Sequence, residues 1–115
     1  MIKIKRAYEK PAKEDRWRVL VDRLWPRGVK KTTAHFDTWM KDVAPSTALR
    51  KWFGHEPEKW SGFQRKYRSE LAKNKELVTE LKKMEKEHGT LTLVFGAKDV
   101  EHNEAVVLAD ILSRR

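Results

Sequence analysis

Ile2 and Ile4 alternate with Lys3 and Lys5, a two-residue period that predicts a strand with one buried face. Lys10-Pro11-Ala12-Lys13-Glu14-Asp15 follows as a polar turn. In Arg16-Trp17-Arg18-Val19-Leu20-Val21-Asp22 the apolar residues Trp17, Val19 and Val21 alternate, and Leu20 adds apolar character to the other face. That pattern predicts a central strand. It runs into Arg23-Leu24-Trp25-Pro26-Arg27-Gly28, where Pro26 and Gly28 force a loop. Thr90 to Phe95 is the clearest strand in the chain, ended by Gly96.

Between these strands the period changes to that of a helix. Ser46 is placed to cap a helix from Thr47 to Phe53, which Gly54 stops. Pro57 suits the first turn of a longer helix, and Trp60, Phe63, Tyr67 and Leu71 form its apolar stripe. Asn74 is placed to cap a helix that buries Leu77, Leu81 and Met84 and stops at Gly89. A final helix turns Ala105, Leu108, Ile111 and Leu112 inward. Phe36 to Val43 fits either a helix or a short strand. Strands alternating with helices predict an α/β fold with a mostly parallel sheet. In such sheets ligands bind beyond the carboxyl ends of the strands. Two strand ends here carry unusual residues, Arg23 to Gly28 and Gly96 to Asn103.

The length of 115 residues, without repeats or linkers, predicts one domain spanning 1–115. Cysteine is absent, which removes disulfides, thiolate metal sites and cysteine nucleophiles. No signal peptide and no membrane-spanning run is visible, so a cytoplasmic protein, monomeric or homodimeric, is expected. The net charge of +9 is uneven: residues 1–31 carry eleven Lys/Arg against four Asp/Glu. A basic surface of this kind attracts nucleic acid, phosphorylated small molecules or acidic partners. It also serves simply to keep a small domain in solution.

Three constellations carry candidate chemistry. Arg23 and Arg27 flank Trp25-Pro26 at a strand end, where planar guanidinium forks match phosphate or carboxylate and Trp25 offers a stacking face. The plainer alternative pairs Asp22 with an arginine and buries Trp25 in the core. Gly96 to Asn103 joins a strand to a helix start, where backbone N–H groups attract anions, Lys98 adds charge, and Asp99 or His102 can transfer protons. The alternative is a helix capped by Asp99, with Lys98 and His102 solvated. His55, just past a helix end, is a further candidate base. His35, His55, His88 and His102 show no metal-ligand spacing, so only the fold could gather a His/carboxylate metal site, and no metal ligands or cofactor are assigned. Basic and aromatic residues interleave from Arg16 to Arg27 as on a nucleic-acid stacking surface, without a helix-turn-helix, zinc-finger or RNA-recognition signature.

The run Val19 to Gly28, together with Ala44-Pro45-Ser46, Leu49 to Phe53, Ala97-Lys98-Asp99 and His102-Asn103, resembles the YeaO-like family of prokaryotic proteins over nearly the whole chain. The resemblance implies a small Rossmann-like, three-layer α/β domain and no particular activity. It also favours a strand for Phe36 to Val43. The wider superfamily often carries a Cys-His-Arg triplet at the start of its last helix. Asn103, Glu104 and Ala105 stand there in this chain, so thiol chemistry does not carry over. The resulting expectation is a pocket for a small phosphorylated or carboxylated ligand. Arg23, Arg27, Lys41 and Lys98 would converge on it, joined by Trp25, Ser46, Arg50 and Asn103, while His102, His55 or Asp99 would supply any proton transfer. Nucleic-acid binding through the basic N-terminal third and a His/carboxylate metal site are the alternatives.

Overall fold

The computed structural model describes residues 1–114. Its sheet is built on the most apolar strand. Leu91–Phe95 (β4) is buried along its whole length because it has strands on both sides and cover on both faces. On one side lies β1 (Ile2–Arg6), with Ile2 opposite Leu91 and Arg6 opposite Phe95. On the other lies β2 (Trp17–Leu20), and β3 (Thr38–Trp39) pairs with β2 at the far edge. The order is β1-β4-β2-β3 and every pairing is parallel.

The pleat divides the strands between two faces. Val19, Leu91, Leu93 and Phe95 pack against the helices. These are α2 (Thr47–Phe53), α3 (Trp60–Ala72), α4 (Lys75–His88) and α5 (Glu104–Ser113). The predicted stripe on α3 is the buried one: Phe63, Tyr67 and Leu71 are buried and Trp60 packs against them. On α4 only Leu81 is fully buried, with Leu77, Val78 and Met84 packed at its margin. The opposite face of the sheet presents Leu20 and Val94. It is covered by Trp25, Val29 and Phe36 from the segment between β2 and β3, and by Trp39 of β3 itself. That segment includes a single helical turn, α1 (Lys31–Ala34), which the hydrophobic pattern does not signal.

Phe36 to Val43 is a strand for two residues only. Asp37 N–H donates to Arg18 O and Met40 N–H to Leu20 O, which holds Thr38–Trp39 against β2. Lys41–Val43 then closes a 3-10 turn. The predicted cap of α2 is present: Ser46 Oγ accepts from Leu49 N–H at 3.1 Å and donates to Glu70 Oε2 at 2.6 Å. Ser46→Ala is therefore expected to cost about 1–2 kcal/mol, read as a lower midpoint in urea.

One charged cluster is buried on the loop-covered face. Asp15 and Arg18 are each 3% exposed. Arg18 Nη1 donates to Asp15 Oδ2, and Lys5 Nζ approaches the same carboxylate at 3.0 Å. Arg18 Nη2 reaches Ala34 O at 3.2 Å, and Thr92 Oγ1 donates to Asp15 O at 2.8 Å. Burial raises the Asp15 pKa. Hydrogen bonds from Ala12 N–H, Lys5 and Arg18 outweigh it and hold the carboxyl below its ordinary value.

Candidate functional site

The two strand ends singled out in the sequence meet. β2 and β4 are adjacent and parallel, so the loops leaving their carboxyl ends lie over the same edge of the sheet. Between them is a cavity of about 270 Å³. Its walls include Arg23, Trp25 and Arg27 from the loop after β2, Arg50 from α2, His55 beyond it, and His102 and Asn103 ahead of α5. Phe53 and Phe63 supply apolar lining.

Each side chain is held by its local structure. Arg23 Nη2 donates to Ala44 O at 3.2 Å and Nε to Pro45 O at 3.4 Å, so backbone carbonyls fix its guanidinium. Trp25 Nε1 donates to Val29 O at 2.7 Å, and its ring meets Phe36 at 5.2 Å and Trp39 at 5.5 Å. Trp25 thus both lines the cavity and covers the sheet. Arg27 and Arg50 are exposed at the rim. Among the described residues none of Arg23, Arg27 and Arg50 is ion-paired with a carboxylate.

Asn103, rather than Asp99, caps α5. Its Oδ1 accepts from Val106 N–H at 3.1 Å, and its Nδ2 donates to Asp99 O at 2.9 Å. Asp99 instead folds the preceding turn, accepting from Glu101 N–H at 2.9 Å and His102 N–H at 3.1 Å. Its Oδ2 accepts from His102 Nδ1 at 2.8 Å, which fixes the imidazole and leaves Nε2 as the nitrogen open to a ligand. The hydrogen bond from His102, with those from the backbone, holds the Asp99 carboxyl below its ordinary value.

Four expected site residues do not line the cavity, and one of them, Asp99, touches it only through His102. Lys41 Nζ sits 4.1 Å from the Trp39 ring centroid, outside the cavity. Lys98 is exposed on the β4–α5 loop and does not line the cavity. Ser46 is committed to capping α2 and to Glu70, and lines a separate shallow recess. The cations that converge are Arg23, Arg27 and Arg50. The four histidines do not gather, and among the described residues no group of three or more His, Asp or Glu side chains is placed to hold a metal ion.

The acidic component of the site is Asp22 with Glu104. Asp22 has no arginine partner. Its Oδ2 accepts from Gly96 N–H at 2.8 Å, tying the end of β2 to the end of β4, and its carbonyl accepts from Trp39 Nε1 at 2.7 Å. A Cβ at Gly96 would meet Asp22 Oδ2 at 2.9 Å, so a side chain there would displace this contact. Glu104, the first residue of α5, shares a hydrogen bond with Asp22. Burial, then that hydrogen bond and the Asp22 charge, push the Glu104 carboxyl well above its ordinary value. Glu104 therefore holds its proton to higher pH than an ordinary carboxyl.

These features define a parallel α/β protein with a charged cavity at the carboxyl ends of two adjacent strands. The chain belongs to the family described as the inactive DUF488-N3 subclade, whose model matches residues 1–115. It is 43% identical to the uncharacterized protein YeaO of Escherichia coli K12 over 111 residues, 96% of either chain. It is 39% identical over 114 residues to the uncharacterized protein Rv3073c of Mycobacterium tuberculosis H37Rv and to Mb3100c of Mycobacterium bovis, which covers 99% of this chain and 95% of each relative. No solved structure matches it. The YeaO-like resemblance read from the motifs is thereby confirmed. No helix is long and apolar enough to cross a membrane among the described residues.

Proposed function

We propose that the cavity binds a small phosphorylated or carboxylated molecule and that the protein acts as a binder of that molecule. The observation that carries this reading is the convergence of Arg23, Arg27 and Arg50, from two separate elements, on one cavity without a carboxylate neutralising any of them. Guanidinium groups grip planar and tetrahedral oxyanions through paired N–H donors. Arg23 is already oriented by Ala44 and Pro45, so less freedom is lost on binding. His102, held by Asp99 through Nδ1, lines the same cavity. The word "inactive" in the family description accords with binding rather than turnover.

Nucleic acid is the competing ligand, and the interior of the fold consumes part of the basic N-terminal third. Lys5 and Arg18 are committed to Asp15, Arg6 donates to Ala97 O at 2.8 Å, and Arg23 is held by Ala44 and Pro45. A thermal-shift series with inorganic phosphate, ethyl phosphate and citrate tests the primary reading. A ligand at a hundred times its Kd is expected to stabilise the fold by about 2.7 kcal/mol. Arg50→Ala, at the exposed rim, is expected to weaken that response at least tenfold in ligand concentration. Absence of any anion-dependent shift, with Arg50→Ala indistinguishable from wild type, would overturn the reading. Retention of duplex or single-stranded nucleic acid that weakens steeply with salt would favour the alternative.

A further inference from the structure

The cavity is lined by opposite charges that do not neutralise each other. Arg23, Arg27 and Arg50 form no ion pair with Asp22 or Glu104, although all five line the same 270 Å³ space. Three of the five are held by other partners. Carbonyl oxygens hold Arg23, Gly96 N–H fixes Asp22, and Glu104 is turned onto Asp22. Arginines and carboxylates confined together ordinarily pair with one another. A cavity that keeps them apart is complementary to a molecule carrying both charges.

We infer that the ligand is a zwitterion, an amine-bearing phosphate or carboxylate whose anionic group lies on the arginines and whose ammonium lies on the Asp22–Glu104 pair. This rests on the anion-binding reading and narrows its ligand class. The amine end has a direct chemical consequence. In the empty site Glu104 keeps its proton to higher pH than an ordinary carboxyl, because burial first and then the neighbouring Asp22 push it up. An arriving ammonium supplies the positive charge that proton provides, so the proton leaves Glu104 for solvent and both carboxylates accept N–H donors. No covalent bond changes. The other charged and titratable groups lining the cavity are Tyr8, Arg23, Arg27, Arg50, His55 and His102, with Tyr67 on α3 close enough to feel both carboxylates. Tyr67 is itself pushed well above its ordinary value, by burial first and then by Glu104, Glu70 and Asp22. It stays neutral and does not compete for the proton.

The test is calorimetric titration of the wild-type protein with 2-aminoethyl phosphate and with ethyl phosphate, which differ only by the ammonium group, in two buffers of different ionisation enthalpy. The expected result is at least tenfold tighter binding of 2-aminoethyl phosphate, accompanied by proton release that ethyl phosphate does not cause. Glu104→Gln, which keeps a neutral hydrogen bond to Asp22, is expected to abolish the proton release and to cut the preference severalfold. Asp22→Asn, which retains an acceptor for Gly96 N–H, serves as the second variant, and the wild-type comparison requires neither to fold. Equal affinity for the two ligands, or tighter binding of ethyl phosphate, would overturn the zwitterion while leaving the anion site intact. Failure of both ligands and of inorganic phosphate to bind would remove the anion site and the zwitterion together.

Discussion

Asp15→Asn is expected to destabilise the protein by about 3–5 kcal/mol, because removing one partner of a buried ion pair leaves the other charge uncompensated. The charge left behind is that of Arg18, 3% exposed, below the Phe36 ring at 5.5 Å and bonded on its far side only to Ala34 O. Lys5 loses the same partner. With a total stability of about 5–15 kcal/mol for a domain of this size, the loss is a large share of what holds the fold. Urea denaturation at neutral pH reads it directly as a lower midpoint with an unchanged slope. The same carboxyl gives the protein an acid limit. Its folded pKa lies below its unfolded value, so its stabilisation is complete above the ordinary carboxylate range and is lost as pH falls through the folded pKa. Wild-type stability therefore declines on acidification, and Asp15→Asn is expected to show a shallower decline from a lower start. Replacing the trio together, as Lys5→Met, Asp15→Leu and Arg18→Met, is expected to recover most of the loss, since buried ion pairs are seldom better than apolar packing. An Asp15→Asn protein within 1 kcal/mol of wild type, on the scale of an exposed pair, would show that water reaches the cluster.

Elements whose signals are local were readable before folding. β4 lies in a run of apolar residues broken only by threonines between Gly89 and Gly96, the composition a central parallel strand favours. α2 is bracketed by Ser46 and Gly54, and the structure uses both, the second in a left-handed conformation with φ 54°. β3 was harder to read. Phe36, Trp39, Met40 and Val43 are all sheltered, but by different partners: Phe36 and Trp39 cover the outer face of the sheet, while Met40 and Val43 enter the helix-side core. A single period does not describe a chain that crosses from one face to the other. Arg18 was also opaque. On an alternating strand it reads as a solvent-facing position, and only Asp15 and Lys5, brought in from the neighbouring turn and strand, make its burial tolerable.

The site was legible in part, for the same reason. The loops after β2 and β4 had to lie together once those strands were adjacent, which places Arg23, Arg27, His102 and Asn103 around one cavity. Arg50 and His55 reach it because α2 ends beside the loop. Lys41 and Lys98 are near those elements in sequence yet do not line the cavity: Lys41 lies against the Trp39 ring, and Lys98, next to the lining residue Ala97, is exposed. Glu104 left no signal. An acidic residue in the first turn of a helix is the common complement to the helix dipole, so it reads as ordinary. Its meaning depends on Asp22, which reaches it only through the β2–β4 pairing and the Gly96 N–H anchor.

Phe63→Ala is expected to cost about 3–5 kcal/mol, the range for deleting a buried phenylalanine. Phe63 is 2% exposed and sits within a run of rings, 4.5 Å from Phe53 and 5.6 Å from both Trp60 and Tyr67. It is also part of the cavity lining, so its removal joins the new void to the cavity and lets water in beside Glu104. That hydration links a core deletion to the chemistry of the site. Glu104 has a folded pKa raised above its unfolded value, so its favourable contribution is complete below the unfolded pKa and fades as pH rises through the folded one. Wild type is therefore expected to lose stability as the pH is raised through the folded Glu104 pKa. In Phe63→Ala that loss is expected to shrink, because burial is the leading cause of the shift and water relieves it. Thermal melts of wild type, Phe63→Leu and Phe63→Ala across pH 5 to 9 measure both effects at once. Phe63→Leu keeps most of the apolar volume and is expected to retain the wild-type pH profile at a smaller cost. A Phe63→Ala protein with the full wild-type pH dependence would mean that the carboxyl pair is sealed by something other than the aromatic wall.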